Sequence, residues 1–153
     1  MRRLTSSLIH GFIAATKTFG FFLGVIKRMD SNCGERGIPP VIDIEALHNL
    51  REVLGNEYAA VRDGFVNQLD EGVAQLGLQA EINNYAEIKK TAHRLRGSSL
   101  DMCCPQLASL FAQIEQLSKD VIDHNEIGKH PDRFSSLINQ TRDSVRQAIA
   151  ALP

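Results

Sequence analysis

From residue 42 onward, apolar side chains recur every three or four positions in blocks separated by short polar or proline-bearing breaks. That spacing belongs to helices with one buried face. The segment DIEALHNLREVL sets Leu47, Leu50 and Leu54 on one side behind Asp43, a side chain suited to accept the first free N–H groups, and predicts a short first helix. Asn56, after Gly55, is the expected cap of a longer helix with Val61, Phe65, Leu69, Val73 and Leu76 as its core stripe. A third helix is expected from about Asn84 to Met102. Its stripe of Ile88, Ala92, Leu95, Ser99 and Met102 falls within about 40° of one line at roughly 100° per residue. Pro105 suits the first turn of a fourth helix, carrying Leu107, Leu110, Phe111, Ile114, Leu117 and Val121. The pattern loosens through DHNEIGKH, and Pro131 with Asp132 opens a last helix holding Phe134, Leu137, Ile138, Thr141, Val145 and Ala148. Four long amphipathic helices with short connections predict an all-α, antiparallel four-helix bundle with an additional short N-terminal helix.

Composition narrows this picture without changing it. The chain has 153 residues, 43% of them hydrophobic, enough for one domain with a real core. Seventeen basic and eighteen acidic side chains leave a formal charge of −1, so no global field points to nucleic acid. Three cysteines, Cys33 and the adjacent Cys103 and Cys104, make neither a disulfide framework nor the C-x-x-C spacing of zinc or redox sites. The adjacent pair reads as small apolar filling at a helix junction, and a reducing, cytoplasmic setting fits best.

The first 41 residues are read apart from the rest, as an extension and linker that is either poorly ordered or an apolar helix, ahead of a domain over 42–153. Residues 4–26, LTSSLIHGFIAATKTFGFFLGVI, are apolar, but His10 and Lys17 interrupt them and the cleanest run, TFGFFLGVI, is shorter than the ~20 residues a spanning helix needs. Membrane contact, if any, would be peripheral and would come through this stretch. Met29 opens a polar lead, MDSNCGERGIPP, so residues 1–28 read as a tail or an upstream extension of the reading frame.

The chemistry concentrates in AHRLRGSS, residues 92–99, which place Gly97, Ser98 and Ser99 in the middle of the third helix. Glycine there costs roughly 1 kcal/mol relative to alanine, so something must offset it. On the helical wheel His93 lies at about 140° from the core line, with Lys89, Leu100 and Arg96 on one side of it and Gly97 and Lys90 on the other. The imidazole therefore points outward over a bare stretch of backbone rimmed with positive charge, a surface that suits phosphate. Ser99 lies on the core stripe, where a small residue permits close helix packing and its hydroxyl can donate to the Leu95 carbonyl.

AHRLRGSSLDM resembles the signature of histidine-containing phosphotransfer (HPt) domains, commonly written Ala-His-x-Leu-Lys-Gly-Ser-Ser. Ala92, His93, Leu95, Gly97, Ser98 and Ser99 match it, and Arg96 stands where lysine is usual. The resemblance extends over roughly residues 42–151, with LASLFAQIEQL in the place of the following helix. It implies that His93 accepts the phosphoryl group, that Arg96 sits beside the phosphorylated ring, and that Gly97 leaves room for a docking partner; the wheel adds Lys89, Lys90 and Leu100 to that surface. Two departures stand out. Cys103 occupies a position that is often glycine near the end of the motif helix. The glutamine-like residue facing the histidine from the next helix is replaced in the simplest alignment by Glu115, flanked by Gln113 and Gln116; these three are the candidate assisting residues.

The implied reaction is reversible, in-line attack by a neutral imidazole nitrogen on the aspartyl phosphate of a response-regulator receiver domain. Such domains bring their own magnesium ion, so no cofactor is expected on this chain. The sequence holds no G-x-x-x-x-G-K-[ST] and no glycine-rich ATP lid, which predicts a phosphotransfer intermediate without kinase activity of its own. The expected partners are a receiver domain, a hybrid sensor histidine kinase, or both, and no nucleic acid. The alternative is an HPt-like module that binds and regulates such a partner without carrying phosphate. No metal site is expected: Glu45 and His48 form a single Glu-x-x-His where a carboxylate-bridged pair of metals needs two, and His124, Glu126 and His130 match no standard ligand spacing.

Overall fold

The computed structural model describes residues 37–153; residues 1–36, with Cys33 and the apolar stretch 4–26, lie outside the described residues. The chain divides into two units, Met1–Gly37 and Ile38–Pro153.

Among the described residues, five α-helices follow in order: α1 (Ile44–Leu54), α2 (Tyr58–Glu81), α3 (Tyr85–Asp101), α4 (Pro105–Asp123) and α5 (Pro131–Ala151). The four long ones run up and down around one core, α3 packing between α2 and α4, and α5 closing the ring against α4 and α2. Each presents the face its apolar spacing dictates. Ile88, Ala92, Leu95, Ser99 and Met102 of α3 are all buried, as are Leu107, Leu110, Phe111, Ile114, Leu117 and Val121 of α4. On α5, Phe134, Ile138, Thr141, Val145 and Ala148 are buried, with Leu137 packed partly against them. The close approach of α2 and α3 rests on Gly72, where a Cβ would lie 2.7 Å from Leu95 Cδ1.

The helix ends share one device. After α2, α3 and α4, the residues Asn83, Cys103 and Asn125 take positive φ, at 56°, 56° and 53°. At each, two N–H groups turn back to the last free carbonyls. Following α3, Cys103 N–H donates to Leu100 O and Cys104 N–H to Ser99 O; Asn83 and Asn84 bond likewise to Ala80 and Gln79, and Asn125 and Glu126 to Ile122 and Val121. This double closure satisfies carbonyls that would otherwise be orphaned at a buried helix end. Cys103 therefore keeps the left-handed turn that glycine would make easy.

The short segment ahead of α1 is tied to the same corner. Asp43 Oδ1 accepts from Ala46 N–H at 3.0 Å, the expected cap. Asp43 N–H donates to Cys103 O at 2.8 Å, and Pro40 O accepts from Gln106 N–H in the first turn of α4.

Two expectations for α2 are corrected. Asn56 does not cap it: Gly55–Glu57 form a 3-10 turn that runs directly into α2, and Glu57 precedes the helix with no side-chain cap bond. The turn itself supplies a carbonyl, Gly55 O, to the first N–H of α2, so no capping side chain is needed. Val61 is 42% exposed and off the core. Tyr58, within about 20° of Phe65 on the wheel, fills that end, while Val61 lies about 40° to its other side. The Arg51 guanidinium covers the buried Tyr58 ring, 5.3 Å from its centroid.

Candidate functional site

The site is built on α3 and α4, the two helices in closest contact. Asn84 caps α3, accepting from Glu87 N–H, and Glu87 in the first turn complements the positive end of the helix. His93 stands midway along α3. Its core neighbours Ala92 and Leu95 are fully buried, which fixes the rotation of the helix and turns His93 out, with its side chain 73% exposed.

The two serines after Gly97 are absorbed by the helix itself. Ser99 Oγ donates to Leu95 O at 2.8 Å inside the core, and Ser98 Oγ donates to Arg94 O at 3.3 Å. Both satisfy their hydroxyls locally and so leave the surface around His93 unobstructed. Gly97 is exposed, and a Cβ added there would meet nothing within 4 Å. Among the described residues, no packing requirement explains the missing side chain.

From α4, Glu115 reaches across the helix pair. Its Oε1 lies 2.9 Å from His93 Nδ1, and its Oε2 accepts from Arg96 Nη1 at 3.5 Å. Only 20% of the Glu115 side chain is exposed, against 46% for Arg96. One carboxylate thus spans the imidazole and the guanidinium. Of the three candidate assisting residues it alone touches His93: Gln113 donates to Ser109 O and Gln116 to Asp120 Oδ1, both within α4. Lys89 and Arg96 from α3, with Gln113, Gln116 and Lys119 from α4, line an open groove beside these groups. Lys90, on the other side of His93, pairs with Glu87 at 3.6 Å. Leu100 is half-buried at the rim.

Lys119 is a charged groove residue that the sequence pattern did not single out. Its signal was available, four residues beyond Glu115 on the same side of α4.

Neither Cys103 and Cys104 nor the loop histidines join the site. Burial pushes the Cys103 thiol up to about 11 and the Cys104 thiol to about 12. His130 Nε2 lies 2.9 Å from Glu126 Oε2, and this contact with His130 holds the Glu126 carboxyl below its usual range; His124 Nδ1 donates to Asp120 O.

Compared with known families, residues 60–152 match the one described as the Hpt domain. The chain belongs to the Hpt domain family. Members of this family are phosphotransfer intermediates in two-component signalling, working with receiver domains and histidine kinases. Solved structures agree on the fold of this Hpt domain. The crystal structure of histidine-containing phosphotransfer protein B (HptB) from Pseudomonas aeruginosa is similar, with a TM-score of 0.65 and 24% identity over 74% of this chain and 91% of that one. The histidine-containing phosphotransfer protein ZmHP2 from maize has a TM-score of 0.61 and 16% identity, over 83% of this chain and 92% of its own. No curated protein sequence matches the chain. Among the described residues, no helix is long and apolar enough to cross a membrane.

Proposed function

We propose that this Hpt domain accepts a phosphoryl group on Nε2 of His93 from the aspartyl phosphate of a receiver domain, and returns it to such an aspartate. The observation that carries this reading is the 2.9 Å contact between Glu115 Oε1 and His93 Nδ1 on a ring that is otherwise open to solvent. An ionised carboxylate has no proton to give, so Nδ1 must be the donor and the proton sits there. The lone pair of the neutral ring is then on Nε2, on a side chain that is 73% exposed. This is the atom an incoming phosphoryl group can reach.

In the forward step, the Nε2 lone pair forms the N–P bond in line with the breaking P–O bond, and the aspartate carboxylate of the receiver leaves with that electron pair. The proton on Nδ1 does not move. Arg96, one turn on from His93, and Lys89, one turn before it, are within side-chain reach of a phosphoryl group carried there. Positioning and charge neutralisation are most of what phosphoryl transfer requires. The magnesium ion is assigned to the receiver domain. Gly97 lets that partner come close to the backbone next to the ring, and Leu100 with Lys90 complete the rim it meets. A hybrid sensor histidine kinase carrying its own receiver would dock in the same way.

His93→Gln tests this reading. With a labelled phospho-receiver as donor, the native chain is expected to take up acid-labile phosphate and the variant none, while both keep the same helical circular dichroism. His93 is exposed, so the substitution leaves the core untouched. Uptake by His93→Gln would overturn the assignment, and binding without uptake by the native chain would favour a phosphate-independent module.

A further inference from the structure

Glu115 does more than orient a ring, because it brings a full negative charge where the resemblance would place a neutral amide. Once Nε2 carries phosphate, the two ring nitrogens are no longer equivalent in what they must do. For the phosphoryl group to leave, the electron pair of the Nε2–P bond must return to the ring. If Nδ1 still holds its proton, the leaving group is neutral imidazole. If that proton has been lost, the leaving group is the imidazolate anion, a far poorer one. The protonated phosphohistidine is thus the species that can pass its phosphate on.

We infer that Glu115 is a positioning residue that keeps the Nδ1 proton on phosphorylated His93, and so holds the domain in its donor-competent form toward the alkaline side of neutrality. This rests on the phosphotransfer reading above. In the step itself the Nε2–P bond breaks, a P–O bond to the receiver aspartate forms, and the ring departs neutral with the Nδ1 proton in place; no other proton donor or acceptor is involved.

The geometry favours the carboxylate over its neighbours. From α4, Glu115 Oε1 is 2.9 Å from Nδ1, and Lys119 lines the groove further along. On α3 itself, Lys89, Lys90 and Arg96 oppose protonation of the ring, but Lys90 is engaged by Glu87. Arg96 turns toward Glu115 Oε2. Among the described residues, α2 contributes nothing to the ion pairs of His93 or Glu115. Glu115 is also largely shielded, with 20% of its side chain exposed, which strengthens a charge acting on a group in direct contact. Phosphorylation adds to the effect: a phosphoryl group that draws Arg96 away from Oε2 leaves the carboxylate to the Nδ1 proton alone.

Glu115→Gln separates the charge from the hydrogen bond, since an amide oxygen can still accept from Nδ1–H. The experiment loads the native chain and Glu115→Gln with phosphate from one phospho-receiver and measures transfer to a fresh receiver from pH 6 to pH 10. Phosphohistidine hydrolysis without any receiver is followed over the same range. In both measurements the alkaline fall in rate is expected about one pH unit or more lower for Glu115→Gln, with phosphate still on Nε2 by nitrogen-15 NMR. Glu115→Ala should show the same shift and a slower loading step. Superimposable profiles for the native chain and Glu115→Gln would overturn the inference while leaving the acceptor assignment standing. Failure of the native chain to take up phosphate would instead sink the assignment on which it rests.

Discussion

Gly97 and Gly72 show one residue type used for opposite reasons on helices that touch. At Gly97 the space beside the backbone is empty, so Gly97→Ala should raise stability by up to about 1 kcal/mol in denaturant unfolding, the ordinary gain of alanine over glycine in a helix. Gly97→Gln should keep the fold but slow phosphate uptake from a receiver by roughly tenfold, because a long side chain stands where the partner backbone approaches. At Gly72 a Cβ would press on buried Leu95, and Gly72→Ala should cost about 1–3 kcal/mol in the same unfolding measurement. The sequence distinguished Gly97, since its position on the wheel beside His93 is a local property. It did not single out Gly72, whose reason for being glycine lies on another helix. Ser99 was legible for the same cause as Gly97: its core position and its bond to Leu95 O both belong to one helix.

Among the elements, the turns carry the clearest lesson. Three helices end on a left-handed residue, and two of the three are asparagine, the side chain after glycine that tolerates this conformation best. Cys103 at the third is both left-handed and buried. Cys103→Asn should therefore form the turn, whereas Cys103→Val should destabilise by about 2 kcal/mol, because a β-branched side chain collides with its own backbone at this φ. Thermal unfolding of the two variants checks this. With burial holding the Cys103 and Cys104 thiols at about 11 and about 12, alkylation of both at pH 8 should be slow in the folded protein and fast in urea, as peptide mass mapping would show. The extents of α3, α4 and α5 followed from proline, capping residues and apolar spacing. The start of α2 did not, because the turn at Gly55–Glu57 closes its N-terminus through the backbone, and backbone bonding leaves no mark in side-chain chemistry.

For the whole molecule, one core supports every helix that builds the site. Phe111 and Phe134 are its largest fully buried side chains. Phe111→Ala should cost about 3–5 kcal/mol and lower phosphate uptake only in proportion to the unfolded fraction, so that uptake recovers on cooling; a loss of uptake in fully folded protein would place Phe111 in the site rather than beneath it. The family match covers residues 60–152, the four long helices, while α1 adds Leu47 to the core and closes the corner at Cys103 through Asp43. The sequence by itself determined that residues 58–151 form four long helices, which face of each is buried, and that His93 points outward beside Gly97. All of these depend on the spacing of residues within a single helix. Only the tertiary structure decided that Glu115, and not Gln113 or Gln116, meets His93, and that Arg96 shares its carboxylate. Those contacts depend on how far α4 is rotated and shifted along α3. That offset is set by the packing of Leu95, Ile114 and their neighbours together, and a one-residue change in it would bring a different side chain to the imidazole.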